Sequence, residues 1–207
     1  MDAALPPGDG VGVFNRVYLS VTEEVGRSLA AGYFGDAAAT EDLDVRFAGR
    51  YLAAVDAAAA GRRPPACWRP LFAARERARV RPLQFALAGI NAHIGHDLAL
   101  ALVDTCRARG AEPPALAADF DRVGLLLTRI EERVREELMP GPDPLEAVDP
   151  LTHLVGSWSL LRAREAAWSA FRALWGLRGM PELAAELAER VDASVGLVGR
   201  VLLTPLP

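Results

Sequence analysis

The stretch from Pro82 to Gly110, PLQFALAGINAHIGHDLALALVDTCRARG, is apolar on nearly every side, and this limits the fold more than any other feature of the chain. A helix that presents apolar residues all round has to be covered on most of its faces, so the segment predicts a central helix wrapped by others. Pro82 suits a first helical turn, where a missing N–H costs nothing. Gly110 suits a left-handed C-terminal cap.

The covering helices are legible as apolar residues three and four apart. Residues 13–34 carry Phe14, Val17, Tyr18, Val21 and Val25 on one face. Residues 42–60 repeat the pattern at Val45, Ala48, Leu52 and Val55, behind the capping candidates Thr40 and Asp42. GRRPPA breaks the helix, and residues 67–80 predict a further one. Residues 115–138 form an amphipathic helix stopped by Met139-Pro140-Gly141. A long helix then runs from a cap at Asp149 to Leu177, and the last one starts at Pro181. No segment alternates as a strand does. The expectation is an all-α bundle of six to eight helices around a buried central helix at about 82–109, in a single domain spanning 13–207 after a flexible segment 1–12.

Composition narrows the function. All 23 basic residues are arginine, which excludes Schiff-base or phosphate-gripping lysine chemistry and matches a high-GC bacterial genome. The net charge of −4, with arginines scattered among acids, argues against a nucleic-acid partner. Cys67 and Cys106 are too far apart for a CxxC motif. The residues after Met1 do not form a signal peptide, and Asn, His, Asp or Arg interrupt each long apolar run. A cytoplasmic protein with no membrane partner is expected.

Chemistry concentrates in NAHIGHDL, residues 91–98. The letters HIGH spell a nucleotide-binding signature of class I aminoacyl-tRNA synthetases, but that motif follows a strand and works with lysines that this chain lacks. On a helix turning about 100° per residue, His93, His96 and Asp97 share a face, while Asn91 points about 200° away from His93. Three readings stay open. The three residues could ligate one divalent transition metal, since bundles build metal sites from such spacings. They could act without metal as acid–base groups. Or they could be a buried hydrogen-bond network that fixes helix register.

Other residues extend the candidate site. Trp158, Arg162 and Glu165 share one stripe of a helix, beside a second stripe of Arg164, Trp168, Phe171 and Trp175. The functional reading gives a tryptophan wall with Arg162 and Glu165 facing a pocket; the alternative is core aromatics with an intrahelical ion pair. Asn15, Tyr18 and Thr22 make a polar stripe, and Asp44, Phe47 and Tyr51 share a face. Asp44 is the strongest outside partner for a histidine, against the plainer reading of an acid near a helix N-terminus. His93, His96, Asp97, Asp44, Arg162 and Glu165 are thus the catalytic candidates. Asn91, Tyr18, Tyr51 and Trp158 are the substrate-binding ones. No GxSxG elbow, Walker loop or HExxH motif is present.

FNRVYLSVT, LDVRFAGRYLAAVDA, LAGINAHIGHDLALAL and LRAREAAW, in that order, resemble an uncharacterised family of helical proteins common in actinobacteria, of the domain-of-unknown-function kind. Its motif looks like Asn-Ala-His-Ile-x-His-Asp-Leu, with Gly95 here in the variable slot. The resemblance implies the helical fold and no particular activity. Two functions remain: a small-molecule enzyme, of the kind secondary metabolism uses, with a buried His/Asp site; or a non-catalytic protein that binds a ligand or partner. A small bundle with this much apolar helix also suits a homodimer.

Overall fold

The computed structural model describes residues 5, 6, 8–138 and 159–206, with the side chains of 129–138 excluded. Among them are seven helices and no strand: α1 (Gly10–Ala30), α2 (Ala37–Ala59), α3 (Arg69–Ala74), α4 (Pro82–Arg109), α5 (Pro114–Leu138), α6 (Leu160–Gly176) and α7 (Pro181–Leu202). The all-α bundle and its central helix are as the sequence predicts. Both ends of α4 follow their signals. Pro82 occupies the first turn, and Gly110 takes the left-handed conformation at φ 60°, ψ 30°.

By length and composition α4 could cross a membrane, but 83% of its most apolar stretch is covered by the rest of the chain, as in the core helix of a bundle. Two apolar clusters meet along it. The first half of α4 packs with α1, α3 and the end of α7 around Phe14, Tyr51, Trp68 and Phe85. The second half packs with α6 around Leu102, Cys106, Phe171 and Leu174. Gly89 allows the tight crossing of α1, because a Cβ there would meet the Phe14 ring at 2.2 Å. Gln84, fully buried, accepts from the Arg81 N–H and donates to the carbonyls of Leu202 and Thr204, tying the end of α7 to the start of α4.

Several boundaries differ from the sequence reading. Helix α1 opens at Gly10, because Asp9 caps it by accepting from the N–H groups of Val11 and Gly12 and pairs with Arg75 at 2.6 Å. Residues 9–12 therefore belong to the fold. Asp36, rather than Thr40 or Asp42, caps α2 through the Ala39 N–H. Helix α3 covers only six residues of the expected 67–80. Ser159, with extended backbone, caps α6 at Leu160, so this helix does not run on unbroken from Asp149. The expected cap at Asp149 and the stop at Met139-Pro140-Gly141 lie outside the described residues.

Candidate functional site

Between its two halves α4 is not α-helical. Residues His93–Asp97 form a π-helical turn, in which the Leu98 N–H reaches back five residues to the His93 carbonyl. Such single wide turns cost hydrogen-bond geometry and recur at functional sites. Here the turn lies where the two apolar clusters meet, and it places four of its five residues in the interior.

Asp97 is the hub. Its Oδ2 accepts from His93 Nδ1 at 3.0 Å and from Trp68 Nε1 at 3.0 Å, and its Oδ1 accepts from His96 Nδ1 at 2.8 Å. Burial alone would raise the Asp97 carboxyl; the two histidines outweigh burial and hold it below the usual carboxylate range. An ionised carboxylate only accepts hydrogen bonds, so each Nδ1 carries a proton, and a neutral ring held this way has its lone pair at Nε2.

The two Nε2 atoms face different surroundings. His93 stacks on Phe47, with ring centroids 3.5 Å apart and planes within 5°, and meets Tyr18 edge-on at 4.9 Å. Its Nε2 is buried without a hydrogen-bond partner. Burial lowers the ring's pKa against the opposing pull of Asp97, which keeps it neutral near pH 7. His93 borders a partly open cavity of about 140 Å³ lined by residues of α1, α2, α4, α5 and α6. Val21, Leu87, Ile90, Ile94 and Leu127 give it a mainly apolar wall.

A few polar groups interrupt that wall. The buried Tyr18 hydroxyl makes no hydrogen bond of normal geometry. Burial pushes its phenol up to about 12, against a smaller effect of the neighbouring Thr22 hydroxyl, while Asp44 and Asp97 add to the rise. Asp44 lines the cavity from α2, and burial raises its carboxyl. It sits two turns into its helix, so a helix-terminal role does not explain it. Arg164, which shares a helical stripe with Trp168, Phe171 and Trp175, also lines the cavity. Its guanidinium lies over the Phe120 ring, donates to the Phe120 carbonyl at 2.5 Å and is lowered by burial to about 10.

His96 turns the other way, towards α7. Its Nε2 lies 3.9 Å from Asp192 Oδ1. Asp192 in turn accepts from the N–H groups of Ala66 and Cys67 at 2.7 and 2.8 Å. Donor atoms of the buried Cys67 and His96 and the half-buried Asp192 all lie within 4.8 Å of one another, a group that could hold a metal ion. Burial and then the charges of Asp97 and Asp192 push the Cys67 thiol well above its ordinary range.

The structure thus joins His93, His96 and Asp97 through their Nδ1 atoms and both carboxylate oxygens, not around one open point. Tyr18 and Asp44 share the cavity with His93, and Tyr51 packs behind it, edge-on to Phe14. Asn91 is not on the cavity; its amide donates to the Val195 carbonyl on α7 at 3.0 Å. Arg162 and Glu165 are exposed, because α6 turns Arg164, Ala167, Phe171 and Leu174 inward. Trp158 lies outside the described residues. Trp68, Cys67, Asp192 and Arg164 were missed as members of the site. Arg164 was detectable, because it shares a helical stripe with Trp168, Phe171 and Trp175. The other three reach the π turn only through the fold, Trp68 from 29 residues away in sequence.

Neither a curated protein nor a solved structure matches the chain. A family of unknown function, DUF5995, matches residues 1–205, and the chain belongs to that family.

Proposed function

We propose that the protein is an enzyme that moves a proton on a small, largely apolar molecule held in the α1–α2–α4–α5–α6 cavity, with His93 as the acid–base group. One observation carries the reading: a buried, neutral imidazole that borders a mainly apolar cavity has no hydrogen-bond partner at Nε2, while its other nitrogen is fixed by a carboxylate. A buried polar atom with no bond is costly, so fold stability alone does not favour keeping it. A Nδ1–H bond to aspartate sets the tautomer and ring orientation that a general base requires.

In the step envisaged, Nε2 takes a proton from a carbon acid, the C–H electron pair moves into the adjacent carbonyl, and the developing oxyanion accepts from a neutral donor. The Tyr18 hydroxyl suits that role, because a phenol raised to about 12 keeps its proton at neutral pH. His93 then returns the proton to another atom of the same molecule. No serine or cysteine is found among the described cavity residues, and the hydroxyls of Thr22 and Thr40 there donate to the Tyr18 and Asp36 carbonyls with no base beside them, which favours proton transfer over a covalent acyl intermediate. The reading carries with it a small-molecule partner and a cytoplasmic setting.

A second reading has its own support. The close Phe47 stack and the Trp68–Asp97 bond pack His93 as firmly as a core residue, which suits a non-catalytic ligand-binding protein. Deuterium exchange separates the two. A panel of apolar aldehydes and ketones is incubated in heavy water with the protein and followed by proton NMR. Exchange accelerated by the native chain and lost in folded His93→Gln supports the enzyme. Compounds that bind the cavity but exchange no faster with the native chain than with the variant support the binding protein.

A further inference from the structure

We propose that Cys67, His96 and Asp192 form a zinc site that fastens α7 to the π turn of α4, on the side of Asp97 opposite the cavity. The three side chains come from three parts of the fold: the segment before α3, the π turn, and the middle of α7. Their donor atoms already cluster within 4.8 Å, with His96 Nε2 and Asp192 Oδ1 at 3.9 Å. Around tetrahedral zinc, with bonds of about 2.0–2.3 Å, such donors sit roughly 3.3–3.6 Å apart. Shifts of about an ångström or less would close the site.

The surroundings are those of a prepared ligand set. His96 donates its Nδ1–H to Asp97 at 2.8 Å, which leaves the Nε2 lone pair towards Cys67 and Asp192. A carboxylate behind a histidine is the usual outer support of a metal-bound imidazole. Asp192 is oriented by two backbone N–H groups, and each of its oxygens retains a second lone pair. Gly196 lets α7 come this close, because a Cβ there would meet the Ala66 carbonyl oxygen at 2.6 Å.

Charge and donor type select the ion. A thiolate and a carboxylate neutralise a dication, as a buried site needs, and one sulfur with one imidazole favours zinc over calcium or magnesium. On binding, the Cys67 S–H bond breaks, the sulfur pair forms the S–Zn bond, and the proton leaves to solvent. Three protein ligands leave one position for water. The site does not depend on the role proposed for His93.

The full chain, loaded with zinc or cobalt(II) and desalted, provides the test. The expected result is about one metal ion per chain by plasma mass spectrometry. The cobalt form is expected to show a near-ultraviolet thiolate-to-cobalt band that survives Cys106→Ala and disappears in Cys67→Ser. Asp192→Asn is expected to weaken cobalt binding about tenfold or more. If Cys67→Ser does not fold, the band in Cys106→Ala still assigns the sulfur, because the chain has two cysteines. A folded native chain that retains no stoichiometric metal, or whose cobalt spectrum lacks the sulfur band or keeps it in Cys67→Ser, overturns the proposal.

Discussion

His93 and Asp97 are held together across one π-helical turn, Nδ1 to Oδ2 at 3.0 Å, and the same carboxylate holds His96 through its other oxygen. One acid therefore orients two imidazoles whose free nitrogens open on opposite sides of α4. An amide in its place would leave one carbonyl oxygen for three donors and set its own N–H against a histidine N–H. Asp97→Asn is expected to cost about 1.5–3 kcal/mol for each charged hydrogen bond lost. Urea denaturation of the variant against the native chain measures it.

Acid should destabilise the protein in two stages. The folded pKa of His93 lies below its ordinary 6.5, so the unfolded chain binds the proton first. Stability from this group is complete above the unfolded value and declines as pH falls below 6.5 towards the folded one. Asp97, held below 3.8, adds a further loss as pH falls under that value. Urea midpoints across pH are expected to show the first decline in the native chain and a flatter profile in His93→Gln.

Asp44 has the opposite sign. Its folded pKa is raised, so its contribution is most favourable at low pH and is lost as pH rises through the folded value. Asp44→Asn should therefore melt higher than the native chain at neutral pH, and the gap should vanish in acid. Calorimetry at two pH values checks both halves.

Two glycines to alanine should move stability in opposite directions. At Gly89 the new methyl would collide with the Phe14 ring, and a loss of about 1–3 kcal/mol is expected. At Gly26, exposed within α1 with nothing near the added Cβ, a gain of about 0.5–1 kcal/mol is expected from the lower backbone entropy of the unfolded chain. Chemical denaturation of the pair measures both.

Gly196→Ala joins packing to the proposed zinc site. Its methyl would press on a backbone oxygen that cannot rotate away, so α7 must back off from Cys67 and carry Asp192 with it. Zinc retention after desalting is expected to fall while far-ultraviolet circular dichroism keeps its helical shape. Full zinc retention would separate the packing of α7 from the ligand set.

Local rules were enough to read the helices. Apolar periodicity, Pro82, Pro181 and Gly110 act within a turn or two of themselves, so the all-α bundle, its central helix and the i,i+4 pairing of His93 with Asp97 were written in the sequence. The tertiary structure decided the rest. The π turn is a distortion of one helix that its neighbours hold in place, and no residue type within NAHIGHDL signals it. Asn91 meets α7, Arg164 rather than Arg162 meets the cavity, and Trp68, Cys67 and Asp192 reach the π turn across long stretches of chain. Spacing along a helix says which residues share a face. Only the packing of the other helices says what that face meets, because those contacts are fixed by the shape and volume of the whole core.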